Sequence, residues 1–139
     1  MTNEKDYTLL SGLTLAYVGD AIYETYIRDY LVKSGQTRPN QLHRLATHYV
    51  SAKAQHYLIE QMMEQGLLND EEQDMYRRGR NAKSHTSAKN TSVAVYRSST
   101  GFEALMGYLH LTEQKKRLEE VIAWCIQTIG EKNNEKTTK

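Results

Sequence analysis

The stretch LAYVGDAIYE, residues 15–24, decides how the rest of the chain is read. Leu15, Val18 and Ile22 recur at i, i+3 and i+7, the spacing of one face of an α-helix. Asp20 follows directly on Gly19, in the middle of a segment otherwise built to pack. Helical steps of about 100° put Asp20 off that stripe, on a face shared with Tyr17, Glu24 and Ile27. An unpaired carboxylate at such a boundary loses hydration, while the neighbouring glycine lets another group come close.

Outward from this helix the helical signals recur and strand signals do not. The first helix runs through residues 13–31 and stops before Ser34-Gly35. Thr37 and Pro39 open a second, with Leu42, Leu45, Ala46 and Tyr49 on one face. Ser51 caps a third that ends at Gly66. Asn69 starts a fourth, with Glu72 at the N3 position of a capping box and acids filling its first turn. A polar stretch follows from Arg80 to Tyr96. The fifth helix is STGFEALMGYLHL, residues 99–111, with Phe102, Leu105, Met106 and Leu109 as its apolar stripe. Thr112 caps the last, which carries Leu118, Ile122, Cys125 and Ile129 and ends at Gly130. The expectation is one all-α domain of about six helices over residues 1–139, ordered from about 7 to 129, with a disordered tail over 131–139.

Composition bounds the function. The net charge of the 139 residues is only +1, so any affinity for nucleic acid must come from where the charges sit. A single cysteine, Cys125, excludes an internal disulfide and fits a reducing compartment. The polar N-terminus lacks the layout of a signal peptide, and no run approaches the roughly 18 apolar residues of a membrane span. A cytoplasmic protein is expected, with no membrane partner. His43, His48 and His56 lack the spacing of a zinc site, and Cys125, on an apolar stripe, reads as core.

Glu103 is the second carboxylate to stand out. It lies at the edge of the fifth helix's stripe, with Gly107 one turn later. Each acid therefore sits near a packed surface with a glycine beside or below it. Pairing with Arg or Lys would explain both acids. So would a hard cation such as Mg²⁺, which prefers oxygen ligands and often uses one or two carboxylates, completing its shell with water and phosphate. Between Met75 and Phe102 there is no acidic residue, while Arg77, Arg78, Arg80, Lys83, Lys89 and Arg97 supply positive charge. Ser, Thr and Asn between them can bond phosphate and sugar oxygens.

LAYVGDAIYE resembles the signature helix of the ribonuclease III family, with its Gly-Asp-Ala core after an aliphatic–aromatic run. TGFEALMGYLHL resembles that family's second catalytic helix, with its Glu-Ala-Leu-x-Gly core. The intervening RRGRNAKSHTSAKNTSVAVYRSSTGFEAL looks closer still to the Mini-ribonuclease III branch, which consists of the catalytic domain without a double-stranded-RNA-binding domain. The resemblance covers about residues 7 to 129. It implies an endoribonuclease cleaving double-stranded RNA, with Asp20 and Glu103 as catalytic acids holding Mg²⁺ and products bearing 5′-phosphate and 3′-hydroxyl ends. Beside these motifs the basic segment is expected to contact RNA through Arg77, Arg78, Arg80, Lys83 and Lys89, an ordinary solvated loop being the alternative, and the resemblance implies a homodimer with Tyr17 at the interface. The implied substrate is the paired stem of the 23S ribosomal RNA precursor, whose 5′ and 3′ ends it would mature during ribosome biogenesis. Full-length relatives carry a Glu where this chain has Ala16 and an Asp where it has Thr100, which leaves two acids in place of four. Glu24 is a further ligand candidate or the partner of Arg28 in an i,i+4 ion pair. A non-catalytic RNA-binding protein that keeps the fold is the alternative reading, and a helical DNA-binding regulator a third.

Overall fold

Serines open three of the six α-helices among the described residues, because a hydroxyl at the N-cap satisfies an amide that the helix itself leaves free. Ser11 accepts from the Thr14 N–H at 3.1 Å, Ser51 from Ala54 at 3.2 Å and Ser92 from Val95 at 3.1 Å. A computed structural model describes residues 6–83 and 92–137. After a 3₁₀ turn at Tyr7–Leu9 come α1 (Gly12–Lys33), α2 (Pro39–Val50), α3 (Ala52–Glu64), α4 (Asp70–Arg80), α5 (Val93–Leu111) and α6 (Lys115–Thr137). No strand occurs among the described residues, and none of their helices is long and apolar enough to cross a membrane.

The centre of the molecule is α5, which packs against α1, α3, α4 and α6. Its expected stripe of Phe102, Leu105, Met106 and Leu109 is fully buried, but so are Ser98, Gly101, Ala104 and Tyr108 on other sides. A helix enclosed all round shows no polar face. The start of α5 lies at Val93, so the last residues of the expected polar connection are its first turn.

Periodicity misplaces the buried side of α1. Gly12, Leu15, Ala16, Gly19, Tyr23, Ile27 and Leu31 are the residues buried there, whereas Val18 and Ile22 are only half-buried. Ile27 therefore belongs to the core and not to the face of Asp20. Tyr23 joins three helices: its ring meets Phe102 edge-on at 4.8 Å, and its hydroxyl donates to the Tyr49 carbonyl at 3.1 Å.

Two helix ends depart from the sequence reading. Thr112 does not cap α6. It closes α5, where the Glu113 N–H reaches the His110 carbonyl and the Gln114 N–H reaches Leu109, a Schellman pattern. The residue held left-handed there is Glu113, at φ 59°, in place of the glycine that would signal such an end. At the other end, α6 runs through Gly130 to Thr137, so residues 131–137 of the expected tail are helical.

The capping box of α4 forms as read, with Glu72 N–H on the Asn69 side chain at 2.8 Å and Asn69 N–H on Glu72 at 3.0 Å. Glu72 has a second task. It is buried, and Arg117 from α6 donates to both its oxygens at 2.8 Å. Burial alone would push its pKa up, but the Arg117 hydrogen bonds and the Asn69 amide outweigh that and hold it below its ordinary value.

Candidate active site

Two helices bring the acids together. The crossing of α1 and α5 is the most extensive contact between elements, and its closeness comes from glycine. A Cβ built on Gly19 would fall 1.7 Å from the Glu103 carbonyl oxygen, and one on Gly107 would fall 1.9 Å from the Leu15 carbonyl oxygen. Only a residue without a side chain fits at either place. What approaches Gly19 is thus the backbone of the other helix, not a ligand. The crossing sets Asp20, one residue after Gly19, beside Glu103, one turn before Gly107.

Asp20 is exposed and Glu103 is half-buried. Their side chains interact directly, and Glu103 is pushed up to about 8 by burial first and then by the negative charge of Asp20, with Glu24 adding to it. Among the causes only the Gln55 side chain pulls the other way. Among the described residues neither acid forms an ion pair with Lys or Arg, which removes the simplest structural explanation for the pair.

A carboxyl that keeps its proton through burial and a facing carboxylate marks a place that lacks positive charge. A hard divalent cation fits this donor set. Asp20 and Glu103 offer oxygen only, and among the described residues no three His, Cys, Asp or Glu side chains converge to cage an ion by themselves. Such an ion would keep several positions for water or phosphate, as Mg²⁺ does. Ala16 is buried in the core, and the Thr100 hydroxyl is spent on the Tyr96 carbonyl at 3.1 Å. Glu24 makes the i,i+4 ion pair with Arg28, whose Nε donates to it at 3.1 Å.

The candidate RNA-contacting residues are less uniform. Arg77, Arg78, Lys83 and Arg97 are exposed and Arg80 is half-buried. Arg77 pairs with Asp74 at 3.1 Å, and Arg78 donates to the Leu10 carbonyl at 3.1 Å, fastening the start of the chain to α4. Arg80 lies over the Tyr76 ring at 5.5 Å. Lys89 lies outside the described residues. Tyr17 is 83% exposed, and Leu13, one turn earlier, and Leu9 are exposed as well, which leaves an apolar strip along the start of α1. Sequence reasoning missed Gln55, whose only signal was a polar residue on the buried face of α3.

The Ribonuclease III domain family model matches residues 13–114. A Mini-ribonuclease 3 from Enterococcus faecalis is 67% identical over 129 residues, 93% of this chain and 98% of that protein. One from Staphylococcus aureus is 46% identical over 95% of this chain and all of its own length. The crystal structure of a Fusobacterium nucleatum protein superposes with a TM-score of 0.77 at 29% identity, covering 90% of this chain and 98% of that one. With a family model spanning most of its length and relatives this similar end to end, the chain belongs to the ribonuclease III family, in its Mini-ribonuclease 3 branch, and is an endoribonuclease.

Proposed function

We propose that the protein cleaves double-stranded RNA with Mg²⁺ held by Asp20 and Glu103. The observation that carries this reading is the unneutralised carboxylate pair, from two different helices, at the surface of a ribonuclease III domain. Bound there, the ion would lower the pKa of a water and offset charge on the phosphodiester during in-line hydrolysis. The protein's own part is to hold two oxygens at a fixed separation and to leave the outer side of Asp20 open to the substrate. Hydrolysis in this sense leaves 5′-phosphate and 3′-hydroxyl ends.

The cations of α4 and of the residues after it, Arg77, Arg78, Arg80, Lys83 and Lys89, are assigned to the duplex backbone, since A-form RNA is read mainly through phosphates and 2′-hydroxyls. One site cuts one strand, so a two-fold dimer is the economical way to sever both. The apolar strip of Leu9, Leu13 and Tyr17 supplies a surface for it. The substrate we assign is the paired stem of the 23S ribosomal RNA precursor, cut in the cytoplasm during ribosome biogenesis.

Incubation with duplex and with single-stranded RNA, each with Mg²⁺ or EDTA, tests the reading. Only duplex with Mg²⁺ should be cut, and Asp20→Asn should lower the rate at least a hundredfold, about 3 kcal/mol of transition-state stabilisation, while duplex is still bound. Cleavage by Asp20→Asn at the normal rate would refute the assignment. Duplex binding without cleavage under every metal condition would favour the non-catalytic RNA-binding alternative.

A further inference from the structure

Arg117, at the start of α6, donates to the carbonyl of Leu67 just past the end of α3, at 2.7 Å. Lys132, far along α6, lies over the Tyr57 ring in the second turn of α3, at 4.0 Å. The two helices therefore run antiparallel, and between these ties a groove of about 350 Å³ opens, large enough for a small ligand. Tyr57, Gln61 and Gln65 line it from α3 at i, i+4 and i+8, and Trp124, Gln127 and Thr128 line it from α6. Much of the hydrogen-bonding capacity there is unused. Gln65 donates to the Gln61 carbonyl oxygen at 3.5 Å, and Gln127 donates to Glu131 at 3.3 Å. Among the described residues the Gln61 amide nitrogen, the Gln65 and Gln127 carbonyl oxygens, the Thr128 hydroxyl and the Trp124 indole N–H have no partner. Gln61, Trp124 and Thr128 are half-buried, so these groups are held in place without being sealed from solvent.

We propose that the α3–α6 groove is a separate RNA-binding site, which takes one unpaired adenine nucleotide from single-stranded RNA flanking the duplex. An endoribonuclease meets RNA strands, and bases inside a duplex are paired and stacked, so only an unpaired base offers both its face and its edge. The indole of Trp124 gives the face a stacking surface. A glutamine amide sets a donor beside an acceptor, the pattern that matches N7 and the N6 amino group of adenine. The charge of the lining argues against other occupants. A duplex backbone is gripped by several cations, whereas here Lys132 stands alone and Glu131 is next to it. An amphipathic helix from a protein partner would need a row of apolar anchors, which amides and a hydroxyl do not provide. Lys132 suffices for the one phosphate that a single nucleotide brings. The groove belongs to α3 and α6 and the acid pair to α1 and α5, so this site does not depend on how the acids act.

Trp124 is the only tryptophan in the chain, so its fluorescence reports from the groove itself. Full-length protein in EDTA, titrated with hexa-adenylate RNA, should show a saturable change in emission with a midpoint below about 1 mM. Gln61→Leu and Gln127→Leu keep the approximate size and remove the amide, and each should weaken this binding about fivefold, the worth of one hydrogen bond. The second arm compares a blunt duplex with the same duplex carrying a 3′ tail of adenines. Wild-type protein should bind the tailed form about fivefold more tightly, and Gln61→Leu should erase that difference. Blunt-duplex affinity, and cleavage of it with Mg²⁺, should stay within about twofold in the variant, because Gln61 lies outside the acid pair and the basic segment. Three results would overturn the proposal: no saturable change with hexa-adenylate, equal binding by wild type and both leucine variants, or no gain from the tail. Should Gln61→Leu fail to fold, Gln127→Leu, whose side chain is exposed, carries the same criteria.

Discussion

Glu103→Gln should abolish cleavage and, in metal-free protein at alkaline pH, make the fold more stable. In the unfolded chain Glu103 ionises in the ordinary carboxylate range near pH 4.5, whereas in the folded protein burial and the charge of Asp20 hold its proton to about pH 8. Between those values the folded state binds more protons than the unfolded state, so stability is lost as the pH rises and the loss is complete above pH 8. At about 1.4 kcal/mol per pH unit the upper limit is about 5 kcal/mol. The carboxyl is half-buried and not sealed, so solvent screening reduces this to on the order of 3 kcal/mol. Glutamine keeps the shape and has no charge to lose.

For a domain of this size 3 kcal/mol corresponds to roughly 10 °C in melting temperature. Thermal melts in EDTA at pH 8.5 and pH 5 measure it. The variant should melt about 10 °C above wild type at the higher pH and only a few degrees above it at the lower. Added Mg²⁺ should raise the wild-type melting temperature and leave that of the variant nearly unchanged, since an ion stabilises only the state that binds it. An unchanged or lower melting temperature for Glu103→Gln at pH 8.5 would refute the picture of a half-buried Glu103 forced against Asp20.

Gly107→Ala places a methyl where the Leu15 carbonyl lies, so α1 and α5 must separate. Melting should fall by about 10 °C or more, and cleavage by the remaining folded protein should fall with it. Arg117→Met strands the buried charge of Glu72 and should cost about 3–5 kcal/mol in denaturant unfolding, with cleavage per folded molecule retained because Arg117 has no part in the acid pair. Glu113→Gly relieves a left-handed residue at the end of α5 and should raise stability by roughly 0.5–1 kcal/mol in the same assay. Replacing Arg77, Arg78, Arg80, Lys83 and Lys89 by Gln should flatten the salt dependence of duplex binding, by up to about 0.9 in log K per log[salt] for each phosphate that the protein no longer neutralises. An unchanged slope in a filter-binding titration would assign RNA to another surface.

Local chemistry is the most legible part of the sequence. Ser51 and the Asn69–Glu72 box start α3 and α4 where their side chains say they should, because a cap is decided within four residues. The end of α5 is hidden for the converse reason. Glycine is the usual sign of a Schellman turn, and here Glu113 bears the left-handed conformation, with the packing of α5 and α6 holding it. The buried side of α1 escapes the apolar pattern because Gly19 and Ala16 lie at its centre. Small residues barely register in a hydrophobic pattern, yet they mark where two helices come nearest. Asp20 and Glu103 stand out as positions and, through their motifs, as a pair. Gln55 does not, since a glutamine on a helix reads as solvent-facing until α3 is packed against α5.

That packing also explains why glycines accompany the acids. Carboxylates on separate helices hold one geometry only as well as the helices hold theirs, and a crossing lined by long side chains can shift as rotamers change. Here the contact is backbone on backbone. The carbonyl of Glu103 rests against Gly19, and the carbonyl of Leu15 against Gly107, so each helix gives one carbonyl and one glycine to the other. Such Cα–H···O contacts are weak singly but admit little sliding, because a displacement along either axis drives a carbonyl into the next residue's side chain. Asp20 is bonded to one of these glycines, and Glu103 owns one of these carbonyls. The separation of the two acids is therefore set through two peptide units and a single van der Waals contact. On the proposed reading, two carboxylates leave no spare ligand to absorb error, and this crossing supplies the rigidity that a fuller ligand set would otherwise give.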